Sequence, residues 1–300
     1  LGRYHKKEKN YKKEISHLIK GHDAFFNLKK EKFDIGVKYV FNDVTQISES
    51  INTTNINIKS DYELKPIFIV GVPRCGSTVI EKVIASGPNP IPMSEESAIL
   101  ENFVNKKILE QKSINLGDVE ELRKELYELY KQKGVVSKNS NYTFTDKSLN
   151  NFFYIGIIKD IFPKAKIINC KRNFLSSAVS ILQKNLTELA WAHSIENIFK
   201  YFDNYIKTMK NFKEVYPGDI YDLQFEDFIN DPEVESKKLM DECGLKWDKK
   251  CLEFYKRKDL VSKTASNIQI RKAIYKDSAD KYMPYKKLLS EYGKNYPWFN

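Results

Sequence analysis

The spacing of apolar and polar positions changes character near residue 64. Before it the period is helical. Tyr11, Ile15, Leu18, Ile19 and Phe25 recur amid lysines, and Phe33, Val37, Val40, Phe41 and Val44 repeat the pattern. Residues 51–63 (INTTNINIKSDYE) are polar and read as a linker. Beyond them, short apolar runs alternate with amphipathic stretches. Pro66–Gly71 suits a buried parallel strand and leads through a glycine-containing turn into a helix from about Ser77 to Ser86, which Gly87-Pro88 stops. An amphipathic helix is predicted over 118–133 and a buried one over 151–162. A strand over Lys166–Cys170 precedes a helix from about Leu175, and another helix covers 193–213. A turn at 216–219 leads into a strand over Ile220–Phe225, then a helix over 232–243. The alternation predicts an α/β fold: a P-loop-like parallel sheet flanked by helices, preceded by a short all-helical N-terminal segment. Ligands of such sheets bind at the carboxyl ends of the strands.

Composition narrows the chemistry. The formal net charge of +10 favours anionic partners, although the lysines are spread along the whole chain as on a solvated surface. Arginine is scarce: Arg3, Arg74, Arg123, Arg172, Arg257 and Arg271 are all there is. A chain that uses lysine for generic charge keeps arginine where a planar, multi-donor fork matters. Cys75, Cys170, Cys243 and Cys251 form no CxxC pair and no zinc-spaced cluster with histidine, so no metal site is predicted. Free thiols fit a reducing cytosol, and a cytoplasmic location is expected. No run of eighteen apolar residues suggests a membrane span, and no basic recognition helix suggests nucleic acid. The chain starts at Leu1 rather than Met and so reads as a piece of something longer, with any targeting segment upstream of it.

The strongest motif is Gly71-Val-Pro-Arg-Cys-Gly-Ser-Thr78, between a predicted strand and helix. Glycines let the backbone wrap an anion, and Ser77 and Thr78 add hydroxyls at the helix start. It is almost a nucleotide-triphosphate loop, but Ser77 stands where that loop has its phosphate-contacting lysine, and no hydrophobic strand ends in an aspartate placed for magnesium. A second strand ends in Cys170-Lys-Arg-Asn-Phe-Leu-Ser-Ser-Ala-Val-Ser180, which puts Arg172 at a strand exit and serines in the next helix. Two anion sites at neighbouring strand ends fit a nucleotide with phosphates at its 5′ and 3′ positions, as in 3′-phosphoadenosine 5′-phosphosulfate (PAPS).

These segments, from about Lys65 to about Tyr285, resemble the PAPS-dependent sulfotransferases, in particular the tetratricopeptide-repeat-containing branch related to tyrosylprotein sulfotransferases. The resemblance implies a sulfotransferase domain over 64–300, with residues 1–50 similar to the end of a helical repeat array and a candidate surface for a protein partner. It implies that Arg74, Cys75, Gly76, Ser77 and Thr78 hold the 5′-phosphosulfate, and that Arg172 and Ser180, with Lys184 nearby, hold the 3′-phosphate. Phe225, in Leu223-Gln-Phe-Glu-Asp-Phe228, matches an aromatic position near the adenine but lacks its hydroxyl, and a core role for it is nearly as well supported. Ser262-Lys-Thr-Ala-Ser-Asn-Ile-Gln-Ile-Arg271 resembles a segment that folds over the donor, which places Ser266, Gln269, Arg271 and Lys281 near phosphate.

The same resemblance supplies the reacting groups. Its catalytic carboxylate falls in Ser94-Glu-Glu-Ser97: an ungapped count from Arg74 selects Glu95, and one gap selects Glu96. Either also suits a helix-capping role. Lys147, in Thr145-Asp-Lys-Ser148 with Asn151 following, is the candidate cation for the transferring group, beside Arg74. The implied activity is transfer of a sulfuryl group from PAPS to a hydroxyl or amine, without metal, leaving adenosine 3′,5′-bisphosphate. The acceptor is not specified, whether protein, sugar, lipid or small alcohol. Two alternatives stand beside this: a P-loop kinase or NTPase, and a non-catalytic interaction module.

Overall fold

The computed structural model describes residues 1–50, 52–54, 64–111, 115–136, 142–257 and 282–299. The lysine-rich start folds as helices α1 (Gly2–Lys7), α2 (Tyr11–Leu28) and α3 (Lys30–Lys38), a π-helical turn at Tyr39–Asp43, and α4 (Val44–Ser50). Ile15, Val40, Phe41 and Val44 of this segment belong to the same hydrophobic core as the sheet. Glu14 of α2 is buried and accepts hydrogen bonds from Tyr285 Oη at 2.7 Å and Gln183 Nε2 at 2.9 Å, tying both chain ends to one point.

Strand β1 (Asn52–Thr54) lies within the stretch read as a linker, and pairs in parallel with β3 (Asn115–Asp118). Between them come β2 (Lys65–Gly71), α5 (Ser77–Ala85) and α6 (Ile99–Gln111). Then follow α7 (Val119–Gln132), β4 (Thr143–Asp146), α8 (Ile155–Ile161), β5 (Lys166–Lys171), α9 (Phe174–Lys184), α10 (Ile195–Val215), β6 (Ile220–Gln224), α11 (Phe225–Asn230) and α12 (Pro232–Glu242). The main sheet is all parallel, in the order β4-β2-β5-β6. The expected architecture is therefore the observed one. β2 and β5 are adjacent, with Gly71 opposite Cys170, so both candidate anion loops leave the sheet side by side. Six of the seven β2 residues are buried, as a central strand covered on both faces requires.

Two local predictions differ. The apolar stretch 151–162 is not one helix: a 3-10 helix at Leu149–Tyr154 runs into α8. The Asn151 side chain donates to Asp146 Oδ1 at 3.1 Å, which fastens this tighter first turn to the end of β4. The strand read as ending at Phe225 stops at Gln224, and Phe225 opens α11. β4 itself has no sequence signal, since Phe144 is its one large apolar residue. No helix of the described residues is long and apolar enough to cross a membrane.

Candidate active site

The loop after β2 is shaped by its glycines. Gly71 and Gly76 have φ of 153° and 101°. A methyl group at Gly71 would come 2.6 Å from the Cys170 carbonyl, and one at Gly76 would come 2.3 Å from the Phe225 ring. Arg74 also lies at positive φ, 73°, which a non-glycine residue holds only when its surroundings fix it. Here they do. Arg74 Nε donates to Ser180 Oγ at 3.0 Å, and the Arg74 carbonyl accepts from Arg172 Nη1 at 3.0 Å. The loop is thus stitched to α9 and to the exit of β5. No side chain caps the N-terminus of α5, and that end of the helix carries the positive pole of its dipole. The Arg172 guanidinium lies 5.4 Å from the centroid of Phe225, whose ring is buried against Gly76. Cys75 is fully buried. The pKa of its free thiol is lowered to about 7 by a hydrogen bond with the Cys170 thiol, the Ser77 N–H and hydroxyl, and the Arg172 charge, against the effect of burial.

The α9 end of the site is fixed by side-chain caps. Asn173 accepts from the Ser176 N–H at 3.0 Å, and its own N–H donates to Glu226 Oε1 at 3.0 Å. This holds the turn that carries Arg172. Lys184 is exposed in the last turn of α9.

A second cluster lies on the β4 side. After α5, the chain returns along β4: Thr145 N–H donates to the Pro92 carbonyl, Ser94 N–H to the Thr145 carbonyl, and Lys147 N–H to the Glu95 carbonyl at 3.1 Å. The segment 92–95 therefore acts as an extra partner for the last residues of β4. Glu95 has φ of 51°. The Lys147 side chain is fully buried, and its Nζ donates to Glu96 Oε1 at 2.8 Å, while the Glu96 side chain is 52 % exposed. Asp146, one residue before, accepts from Tyr130 Oη at 2.7 Å, from the Ser148 N–H and from Asn151 Nδ2. Burial holds its carboxyl above the ordinary aspartate value. The turn bearing Lys147 is thereby anchored from three sides.

Glu81, in α5, was not singled out from sequence. It is 1 % exposed and joins the two ends of this cluster. Oε1 accepts from Thr145 Oγ1 at 2.9 Å and from the Glu95 N–H at 3.2 Å, and Oε2 lies 3.9 Å from Lys147 Nζ. Burial raises its carboxyl to about 7, while the Lys147 charge and the Thr145 hydrogen bond pull it down and Glu95 pushes it up. The one available sequence signal was a glutamate on the buried face of a short apolar helix, beside Ile80 and Ile84.

The structure thus brings Arg74, Ser180, Arg172 and Phe225 into one contact group, and Glu95, Glu96 and Lys147 into another. The buried residues Ser77 and Thr78 open α5. Ser266, Gln269, Arg271 and Lys281 lie outside the described residues. Among the described residues no group of three or more histidine, cysteine or acidic side chains is placed to hold a metal ion.

A four-stranded parallel sheet flanked by helices, with a glycine-shaped turn between β2 and α5, is the frame of an α/β transferase. The chain belongs to the Sulfotransferase family, whose sequence profile matches residues 66–249. An uncharacterised protein of Aquifex aeolicus is 31% identical over 239 residues, 75% of this chain. The chain spans about a third of that relative's length (31%). The fold is similar to the sulfotransferase domain of the Synechococcus PCC 7002 olefin synthase, with a TM-score of 0.52 and 17% identity over 75% of this chain and 90% of that one. It is equally similar, at 0.52, to the sulfotransferase domain of the curacin biosynthetic pathway, with 14% identity over 77% and 98% of the two chains.

Proposed function

We propose that the chain moves a sulfuryl group from PAPS to a hydroxyl or amine acceptor. The observation that carries this reading is the double tie at Arg74, whose side chain reaches Ser180 while its carbonyl takes Arg172. Two arginines and a serine hydroxyl are gathered where two parallel strands end, and the neighbouring helix N-terminus has no side-chain cap. That is a cradle for more than one phosphate group. Its glycines have no room for a side chain, which suits close approach of the backbone to a ligand.

When bound, the donor would supply the sulfuryl group, and the bond from sulfur to its 5′-phosphate oxygen would break, with both phosphates kept on the departing adenosine 3′,5′-bisphosphate. In this reading Arg74 and the main chain of 75–78 bind the 5′ end. Arg172, Ser180 and Lys184 bind the 3′-phosphate, and Ser266, Gln269, Arg271 and Lys281 close over the nucleotide. Lys147 holds a positive charge where negative charge develops on the sulfuryl oxygens and the leaving phosphate. Glu95 takes the acceptor proton. A base role for Glu96 requires its pair with Lys147 to open first. None of these assignments calls for a metal.

Calorimetric titration tests the reading. Adenosine 3′,5′-bisphosphate is expected to bind tightly, 5′-AMP weakly, and ATP with magnesium no better than AMP. Arg172→Ala removes a charge-assisted contact worth roughly 1.5–3 kcal/mol, so bisphosphate affinity should fall about 10- to 100-fold. Preference for ATP with magnesium would replace this reading with phosphoryl transfer. A folded protein that binds no nucleotide would leave a non-catalytic module.

A further inference from the structure

Glu81 has no part in the assignments above, yet it touches the groups on both sides of the proposed transfer. One carboxylate oxygen holds the Glu95 N–H and the Thr145 hydroxyl, and the other faces the Lys147 ammonium. The ammonium is 2.8 Å from the half-exposed Glu96 and 3.9 Å from the buried Glu81. Lys147 is therefore shared between a carboxylate that can swing into solvent and one that cannot. Glu95, meanwhile, is held at φ 51° with its N–H on Glu81 and its carbonyl on the Lys147 N–H. Glu81 thus fixes the main chain of one reacting residue and the side chain of the other.

Resting on the donor reading above, we propose that Glu81 is a positioning residue, which keeps Glu95 and Lys147 in register and takes up a proton when a donor nucleotide draws the ammonium away. The ionisable groups facing it are Lys147 and Glu95, with the Thr145 hydroxyl as the neutral donor, and Glu96 holds the far side of Lys147. The sign follows from those neighbours. Lys147 is the main influence holding the Glu81 carboxyl down. Moving that charge off, or bringing phosphate closer, favours the neutral acid. The proton comes from solvent, so the complex gains one hydrogen ion and the buffer loses one. Free Glu81 is largely ionised at pH 8, with its carboxyl at about 7. The change is therefore large there.

The test is calorimetric titration with adenosine 3′,5′-bisphosphate at pH 8, in two buffers of different ionisation enthalpy. Phosphate groups of this kind finish ionising near pH 6, so a proton counted at pH 8 belongs to the protein. Wild type should take up roughly half to one proton per nucleotide. Glu81→Gln keeps an oxygen for Thr145 and Glu95 but cannot gain a proton. It should take up none, and should bind the nucleotide equally well or severalfold tighter because Lys147 is no longer shared. Thr145→Val gives a second reading if the glutamine variant does not fold. Losing that hydroxyl leaves Glu81 more protonated beforehand, so uptake should shrink. Equal uptake in wild type and variant, zero in both included, overturns the proposal while leaving the donor reading intact. Failure of the wild type to bind the bisphosphate at all removes the donor reading, and this proposal with it.

Discussion

At Gly76 the backbone conformation and the space around it make the same demand. Its φ of 101° disfavours any side chain, and a methyl group there would sit 2.3 Å from Phe225. Gly76→Ala is expected to cost roughly 1–3 kcal/mol of stability, read by urea unfolding, and to weaken bisphosphate binding more than tenfold, read by calorimetry. The arginines show what composition made legible at this scale. Arg74 reaches a hydroxyl, while Arg123, Arg172 and Arg257 each donate to a main-chain carbonyl, at Ile161, Arg74 and Ala85. Scarcity marked the arginines as donors in fixed places, and these four are, whereas Arg3 is exposed on α1 and Arg271 lies outside the described residues. Glu81 escaped notice because its partners are far away in sequence. Thr145 is 64 residues on, and no local pattern announces the encounter.

At the level of elements, the docking of α2 against the sheet domain depends on two histidines. His22 Nε2 donates to the Leu182 carbonyl at 2.8 Å, and His22 Nδ1 lies 2.8 Å from His193 Nδ1. His193 is buried and stacks on Phe33 at 5.2 Å. Burial, then the His22 and Lys29 charges, lower His193 from 6.5 to about 4. The folded state therefore keeps it neutral while the unfolded chain binds a proton below about 6.5. Its contribution is intact above pH 6.5 and is lost as pH falls towards 4, at up to about 1.4 kcal/mol per pH unit. Urea unfolding at pH 7.5 and pH 5 should show this loss, and His193→Gln should flatten it. Periodicity exposed most of these elements but failed at β4 and at 149–161. A four-residue polar strand is defined only by its neighbours, and an apolar run does not say whether its turns close over three residues or four.

For the molecule as a whole, the first fifty residues contribute side chains to the core. Ile15, Phe33, Val40, Phe41 and Val44 are all buried, and full burial of such a side chain contributes about 1.5–3 kcal/mol. A chain beginning at residue 51 should melt at least 10 °C lower than the whole chain or aggregate on purification, as scanning calorimetry and size-exclusion chromatography would show. An independently stable truncated chain would mean that this interface contributes little. The parallel architecture and the turns that leave β2 and β5 were legible because buried strands and glycine turns write themselves in consecutive residues. Closure of the two ends on Glu14 was not, since Tyr285 lies 271 residues away.

The pair between Lys147 and Glu96 has one more consequence, for selectivity among solutes. An anion that would contact the lysine must first displace a carboxylate already there, 2.8 Å away. A singly charged anion brings no more charge than it evicts, whereas a nucleotide bearing several negative charges does. On the donor reading the pair is a threshold: it lowers the affinity of every anion for the lysine, but only a ligand with several negative charges regains more than it displaces, so chloride and bicarbonate are turned away. Glu96→Gln should lower that threshold, so that chloride at moderate concentration competes with the bisphosphate where it does not compete in the wild type.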